Sequence, residues 1–244
     1  MALYSTSQLA RLAGVHPNTV RLYEQWGFIS PVPRTPAGYR RFCGRHLLEL
    51  RFARLALPGP YPARKDLLPA AVRAYCRQDY GEARRLAAAY DTAVAQEQQH
   101  AREALAVLDR WHQGHRLQGA TVRGGRRQMA QRCHVTVDAL RTWERNGILS
   151  PAQTAGGRMA YTTEDVDTIL VVRLLRRRGF SLASLQRVFS GAAGPALPSD
   201  YLTRIYLNRE STCESDQWMA HLEAHRRRAR LLLAHLDTEH PASS

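Results

Sequence analysis

The sequence predicts a mainly α chain: two winged helix-turn-helix units in tandem, each followed by a long helix. Three observations lead there. The stretch VRLYEQWGFISP at 20–31 returns as LRTWERNGILSP at 140–151. Each copy lies between a short amphipathic segment and a turn-rich, partly basic strip. Each half then reaches a long stretch with helical periodicity, roughly 82–112 and 215–238.

Aligning Gln8–Pro31 with Gln128–Pro151 needs no gap, and 8 of the 24 columns are identical. That spacing is far too long for a solenoid repeat, so it marks a duplicated domain. In the first copy Ser5 or Thr6 can cap a short helix whose apolar stripe is Leu9, Leu12 and Ala13. Gly14 and Val15 make a tight turn. Pro17 then suits the first position of a second helix that runs to about Trp26. Gly27 fits the left-handed position that stops a helix, Phe28 and Ile29 fold back on it, and Pro31 prevents re-entry. In the second copy Thr136 is the cap, the helix runs to about Asn146, and Gly147, Ile148, Leu149 and Pro151 repeat the exit.

The strips PVPRTPAGYRRF (31–42) and PAQTAGGRMAY (151–161) read as short β-hairpins, or wings. A helix follows each, over about 45–57 and 164–178, the second capped by Thr162 or Thr163 with Glu164 and Asp165 in its first turn. Ser181 then caps one further helix. The first copy has instead a Pro-rich loop, LALPGPYPARKDLLP (55–69). In the last long helix Trp218, Leu222, His225, Ala229, Leu232 and Leu236 fall at coiled-coil spacing. The earlier one is less regular, with Leu86, Tyr90, Val94, Ala101, Leu105 and Leu108. These readings divide the chain into a first head (1–70), a helical segment (71–112), a linker (113–125), a second head (126–192), a C-terminal helical segment (200–239) and a disordered tail (240–244). The expected packing of the two long helices is an antiparallel intramolecular pair.

Composition narrows the function. The net charge is +14, which points to a polyanionic partner, although Lys65 is the only lysine among 35 basic residues and an arginine skew also follows from a GC-rich coding sequence. Cys43, Cys76, Cys133 and Cys213 form no CxxC or CxC pair, so neither a metal site nor a cofactor is expected. No apolar run is long enough to cross a membrane, and a cytoplasmic protein with reduced thiols is the expectation. No nucleophile–base arrangement, phosphate loop or paired carboxylate cluster suggests an enzyme.

The strip VHPNTVRLYEQWGFISPVPRTPAGYRRF resembles the DNA-binding head of the MerR family of bacterial transcription regulators. Thr19, Val20, Arg21, Tyr23, Glu24, Gly27, Phe28 and Ile29 match its helix motif, and Arg34, Gly38, Tyr39, Arg40 and Phe42 match its wing. Leu22 departs, standing where the family has a tyrosine. The second copy keeps Arg141, Trp143, Glu144, Gly147, Ile148 and Leu149, and the GFSL element Gly179–Leu182. The resemblance implies a second helix lying in the major groove. In the first copy Pro17, Asn18, Thr19, Leu22 and Tyr23 would face base edges, while Arg21, Arg34, Tyr39, Arg40 and Arg41 would hold phosphates. Wing packing is the other role open to Tyr39, and the favoured one for Phe42. Glu24 and Glu144 are read as helix-surface pairing groups. In the second copy the DNA-facing set is Val137, Asp138, Arg141, Thr142, Arg145 and Arg158, unless that copy is only a structural partner.

The family implies double-stranded promoter DNA and RNA polymerase as partners, with distortion of the promoter as the mechanism. It also implies that a long antiparallel helix pair makes the dimer. A chain with two heads and two long helices is then expected to be a monomeric pseudo-dimer; the rival is a homodimer with four heads. A small-molecule effector is a further expectation. Tyr75, Tyr80, Trp111, Tyr201, Tyr206 and Trp218 are candidates to line its pocket, with core packing as the alternative. Two rival functions remain: a drug-sequestering protein on the same helical scaffold, and an architectural DNA-binding protein without promoter preference.

Overall fold

The computed structural model describes residues 2–113, 115, 119–154, 156–157, 159–189 and 214–239. Arg158, Tyr201, Tyr206, Cys213 and the 240–244 tail lie outside them. The chain divides into two compact units, one formed by Met1–Glu97 with Ala220–Ser244 and the other by Gln98–Met219.

In the first unit β1 (Leu3–Tyr4) pairs antiparallel with β2 (Phe42–Cys43). Between them come α1 (Thr6–Ala13) and α2 (Pro17–Gln25). Ser5 caps α1, its side chain accepting from the Gln8 amide while Gln8 reaches back to the Ser5 amide. Gly14 makes the turn at φ 63°, and α2 begins with Pro17 as its first residue. The helix ends in a Schellman motif: the Phe28 amide donates to the Tyr23 carbonyl at 2.7 Å and the Gly27 amide to the Glu24 carbonyl at 3.1 Å. Leu9, Ala10, Ala13, Val20, Ile29, Phe42 and Leu50 close into one buried core, the last from α3 (Gly44–Ala56). The first wing turns through an Arg34–Arg40 bridge, with the Thr35 amide on the Tyr39 carbonyl at 2.8 Å.

The second unit repeats this plan. Here α6 (Arg126–Arg132) and α7 (Val137–Arg145) lead into the wing strands β4 (Ala152–Gln153) and β5 (Met159–Thr162), followed by α8 (Thr163–Arg177) and α9 (Leu182–Phe189). Thr136 caps α7, Thr162 caps α8, and Ser181 accepts from the Ser184 amide at the start of α9. The Schellman bonds recur from Ile148 to Trp143 and from Gly147 to Glu144. Each turn before the second helix is braced by an arginine from the helix after the wing. Arg54 donates to the Ala13 carbonyl in one unit, and Arg173 to the His134 carbonyl in the other.

Two elements depart from the sequence reading. The end of the Pro-rich loop is helical: α4 (Leu67–Cys76) occupies the place that α9 holds in the second unit. Pro69 sits in its first turn, where a missing N–H costs no intrahelical bond. Within the stretch expected to be linker, Thr121–Val122 forms β3, pairing with β5 as β1 pairs with β2.

The long helix α5 (Tyr80–His112) contributes to both units, as does the last helix. Within the first unit, residues 220–239 of the last helix, α10 (Glu214–Glu239), lie antiparallel to the opening part of α5. Tyr90 Oη and His225 Nδ1 are 2.6 Å apart, Arg84 donates to Asp237 at 2.7 Å, and Arg226 to Asp91 at 3.3 Å. Leu222, His225, Ala229, Leu232 and Leu236 are all buried, as are Ala83, Leu86, Ala87, Tyr90 and Val94 of α5.

Candidate nucleic-acid interface

Because α2 buries Val20 on the core, its opposite face is turned to solvent. Asn18, Arg21, Leu22, Gln25 and Trp26 are exposed there. Arg21 donates to Asn18 Oδ1 at 3.0 Å, which orients the amide on the helix surface. Leu22 is 41% and Trp26 51% exposed, unusual for side chains of that size. Pro17 and Thr19 are half-buried. Tyr23 turns inward: it packs on the core, meets Phe28 edge-to-face at 5.8 Å, and burial raises its phenol pKa. It supports the helix from below while Leu22 and Trp26 hold the outer edge.

The wing presents three of its four predicted groups to solvent. Arg34 and Arg41 are exposed, and Tyr39 is 74% exposed at the tip. Arg34 also donates to the Gly38 carbonyl, closing the wing turn. Arg40 differs, for its Nε donates to Glu24 on α2. That pair ties the wing to the recognition helix and spends part of the Arg40 charge within the protein. Phe42 is fully buried and belongs to the core.

The second unit builds a comparable face with different chemistry. Asp138, Arg141 and Arg145 are exposed on α7; Val137 and Thr142 are half-buried. Arg141 donates to Asp138 Oδ1 at 3.1 Å, the same i,i+3 contact that Arg21 makes with Asn18. A lone carboxylate would repel phosphates, and Arg141 offsets that charge. Thr142 Oγ1 donates to the Asp138 carbonyl, and Asn146 Nδ2 to the Thr142 carbonyl, so both polar ends serve their own helix. Glu144 accepts from Arg126 at 2.7 Å and from the Tyr161 hydroxyl at 2.6 Å. Burial, and then that carboxylate, raise the Tyr161 pKa. Both glutamates thus pair at the helix surface.

Sequence reasoning passed over Gln25, Trp26 and Arg73. Arg73 on α4 sits 4.7 Å over the Phe28 ring and donates to the Trp26 carbonyl at 3.4 Å, buttressing the helix end. The available signal was Trp26 itself, a large aromatic placed where the second copy has Asn146. Of the aromatic set, Tyr75 is buried in the first unit, stacked on Phe52 at 4.2 Å and edge-to-face with Tyr80. In the second unit Trp111 lines an open cavity of about 370 Å³ with Ile148, Leu149, Thr168 and Phe189. Among the described residues no helix is long and apolar enough to cross a membrane.

Residues 5–42 match the family described as MerR family regulatory protein, and residues 127–192 match MerR HTH family regulatory protein. Comparisons with curated proteins and with solved structures return no match.

Proposed function

Because the chain belongs to the MerR family of DNA-binding transcription regulators and carries two of its domains in tandem, we propose that it acts as a single-chain pseudo-dimer. In this reading α2 and α7 each enter a major groove of one promoter site. The wing groups Arg34, Tyr39 and Arg41 hold phosphates and fix register, while exposed side chains of the helices read bases. Holding two heads on one duplex bends or untwists it, and that deformation sets promoter output through RNA polymerase. The effector is a small molecule, and the cavity beside Trp111 is its proposed seat.

One observation carries the single-chain reading. The opening part of α5 is packed by α10 of the same chain, through Tyr90–His225, Asp91–Arg226 and Arg84–Asp237, an antiparallel long-helix pair supplied within one chain. The test is binding of the purified chain to DNA from upstream of its own gene, against scrambled duplex, with the mass of the complex recorded. One chain per selectively bound site is the expected result. Two chains per site would discard the pseudo-dimer and keep the regulator. Equal, salt-sensitive binding to both duplexes would discard specific regulation.

A further inference from the structure

We infer that the two heads read different base compositions, so that the operator is asymmetric: an A·T element under α2 and a G·C element under α7. This rests on the reading of the chain as a sequence-specific regulator and adds what it recognises.

The two helices share one frame. Each begins at a side-chain cap, buries the same alignment position (Val20, Leu140), and ends in the same Schellman stop. Equivalent positions therefore present the same edge, and the differences between them are differences of chemistry. Along that edge α2 and its C-cap carry Asn18, Leu22 and Trp26, and α7 and its C-cap carry Asp138, Thr142 and Asn146.

On α2, Arg21 occupies one acceptor direction of Asn18 Oδ1 and leaves the amide NH2 free to donate. A donor beside an acceptor is the pattern that pairs with adenine N7 and N6. Leu22 and Trp26 add exposed apolar surface beside it. The one apolar group on the major-groove edge is the thymine methyl, so this strip selects A·T pairs.

On α7 the apolar edge is gone. The Asp138 side chain is 86% exposed and only accepts hydrogen bonds, which matches the cytosine amine and disfavours thymine O4 or guanine O6. Its pairing with Arg141 lets it approach a phosphate-lined groove. Arg145 is exposed and held by one Nη2 contact to Thr142 Oγ1 at 3.4 Å, leaving N–H groups for guanine O6 and N7. Thr142 and Asn146 bond their own helix and add no competing code.

The test is selection of the purified full chain on a randomised duplex library, read by sequencing. The expected winners hold two unlike elements, one A·T and one G·C. Asp138→Asn should move the preferred base of the G·C element from C towards A by about tenfold and leave the other element unchanged. Leu22→Ala should weaken the thymine preference of the A·T element alone. Both positions are exposed, so neither change threatens folding. Enriched sites with two like elements would overturn the asymmetry and leave the regulator standing. Enrichment of the A·T element alone would overturn the assignment to α7. No enrichment of any sequence would overturn the regulator reading, and this inference with it.

Discussion

At equivalent positions, Glu24 and Glu144 do the same job with different partners. Each lies on the second helix of its head and anchors a segment remote in sequence. Glu24 holds one group, Arg40 of the wing. Glu144 holds two, the Arg126 guanidinium at the start of α6 and the Tyr161 hydroxyl on β5, and its side chain is 10% exposed against 17% for Glu24. Charge-assisted bonds contribute about 1.5–3 kcal/mol, and the penalty grows when a buried partner is left unpaired. Glu144→Ala should therefore cost about 3 kcal/mol and Glu24→Ala about half of that, read from urea denaturation. Equal losses would mean that the Tyr161 hydroxyl contributes nothing. Arg40 also shows what a motif does not reveal. The sequence places it among the phosphate contacts, whereas its ion pair appears only once the wing is folded against α2.

Helix ends are the elements most legible in the sequence. Gly27 and Gly147 stop their helices at φ 71° and 67°, and nothing lies within 4 Å of where a Cβ would stand on either. The requirement there is conformational rather than steric. Gly27→Ala should cost about 1 kcal/mol through left-handed strain, seen as a lowered melting temperature with little change in the core. A neutral result would remove the Schellman stop as the reason for that glycine. The caps Ser5, Thr136, Thr162 and Ser181 were readable for the same reason, since each solves a local hydrogen-bonding problem with a local side chain. What was hidden depends on distant partners. The two-residue strand β3 exists because β5 supplies its ladder. The helix α4 follows a proline-dense stretch whose composition argues for loop, and its buried Leu68, Ala71, Val72 and Tyr75 find their core only in three dimensions. His134 takes φ 53° where the first copy has Gly14, a substitution that local rules count against a turn. Likewise, which side chains of α2 and α7 point outward followed from packing. Tyr23 went in, and Trp26 came out.

Residues 220–239 return to the unit formed by the N-terminal head, where α10 forms a long-range seam with α5. That seam holds a buried imidazole. His225 faces the Tyr90 hydroxyl at 2.6 Å and the Tyr61 ring edge-to-face, with Arg228 and His221 as its charged and titratable neighbours and the Pro60 carbonyl as its backbone partner. Burial, then Arg228 and His221, push its pKa from 6.5 down to about 4. The folded state thus keeps the ring neutral where the unfolded chain protonates it. Between pH 6.5 and 4 the unfolded state binds more protons, so stability falls as pH falls and levels off below 4. The full loss is about 3 kcal/mol at 1.36 kcal/mol per pKa unit. His225→Gln retains an acceptor for Tyr90 and removes the charge. Its urea midpoint should be nearly flat over the window in which the wild type declines, once carboxylate effects common to both proteins are subtracted. Parallel curves would show that His225 does not titrate against this seam.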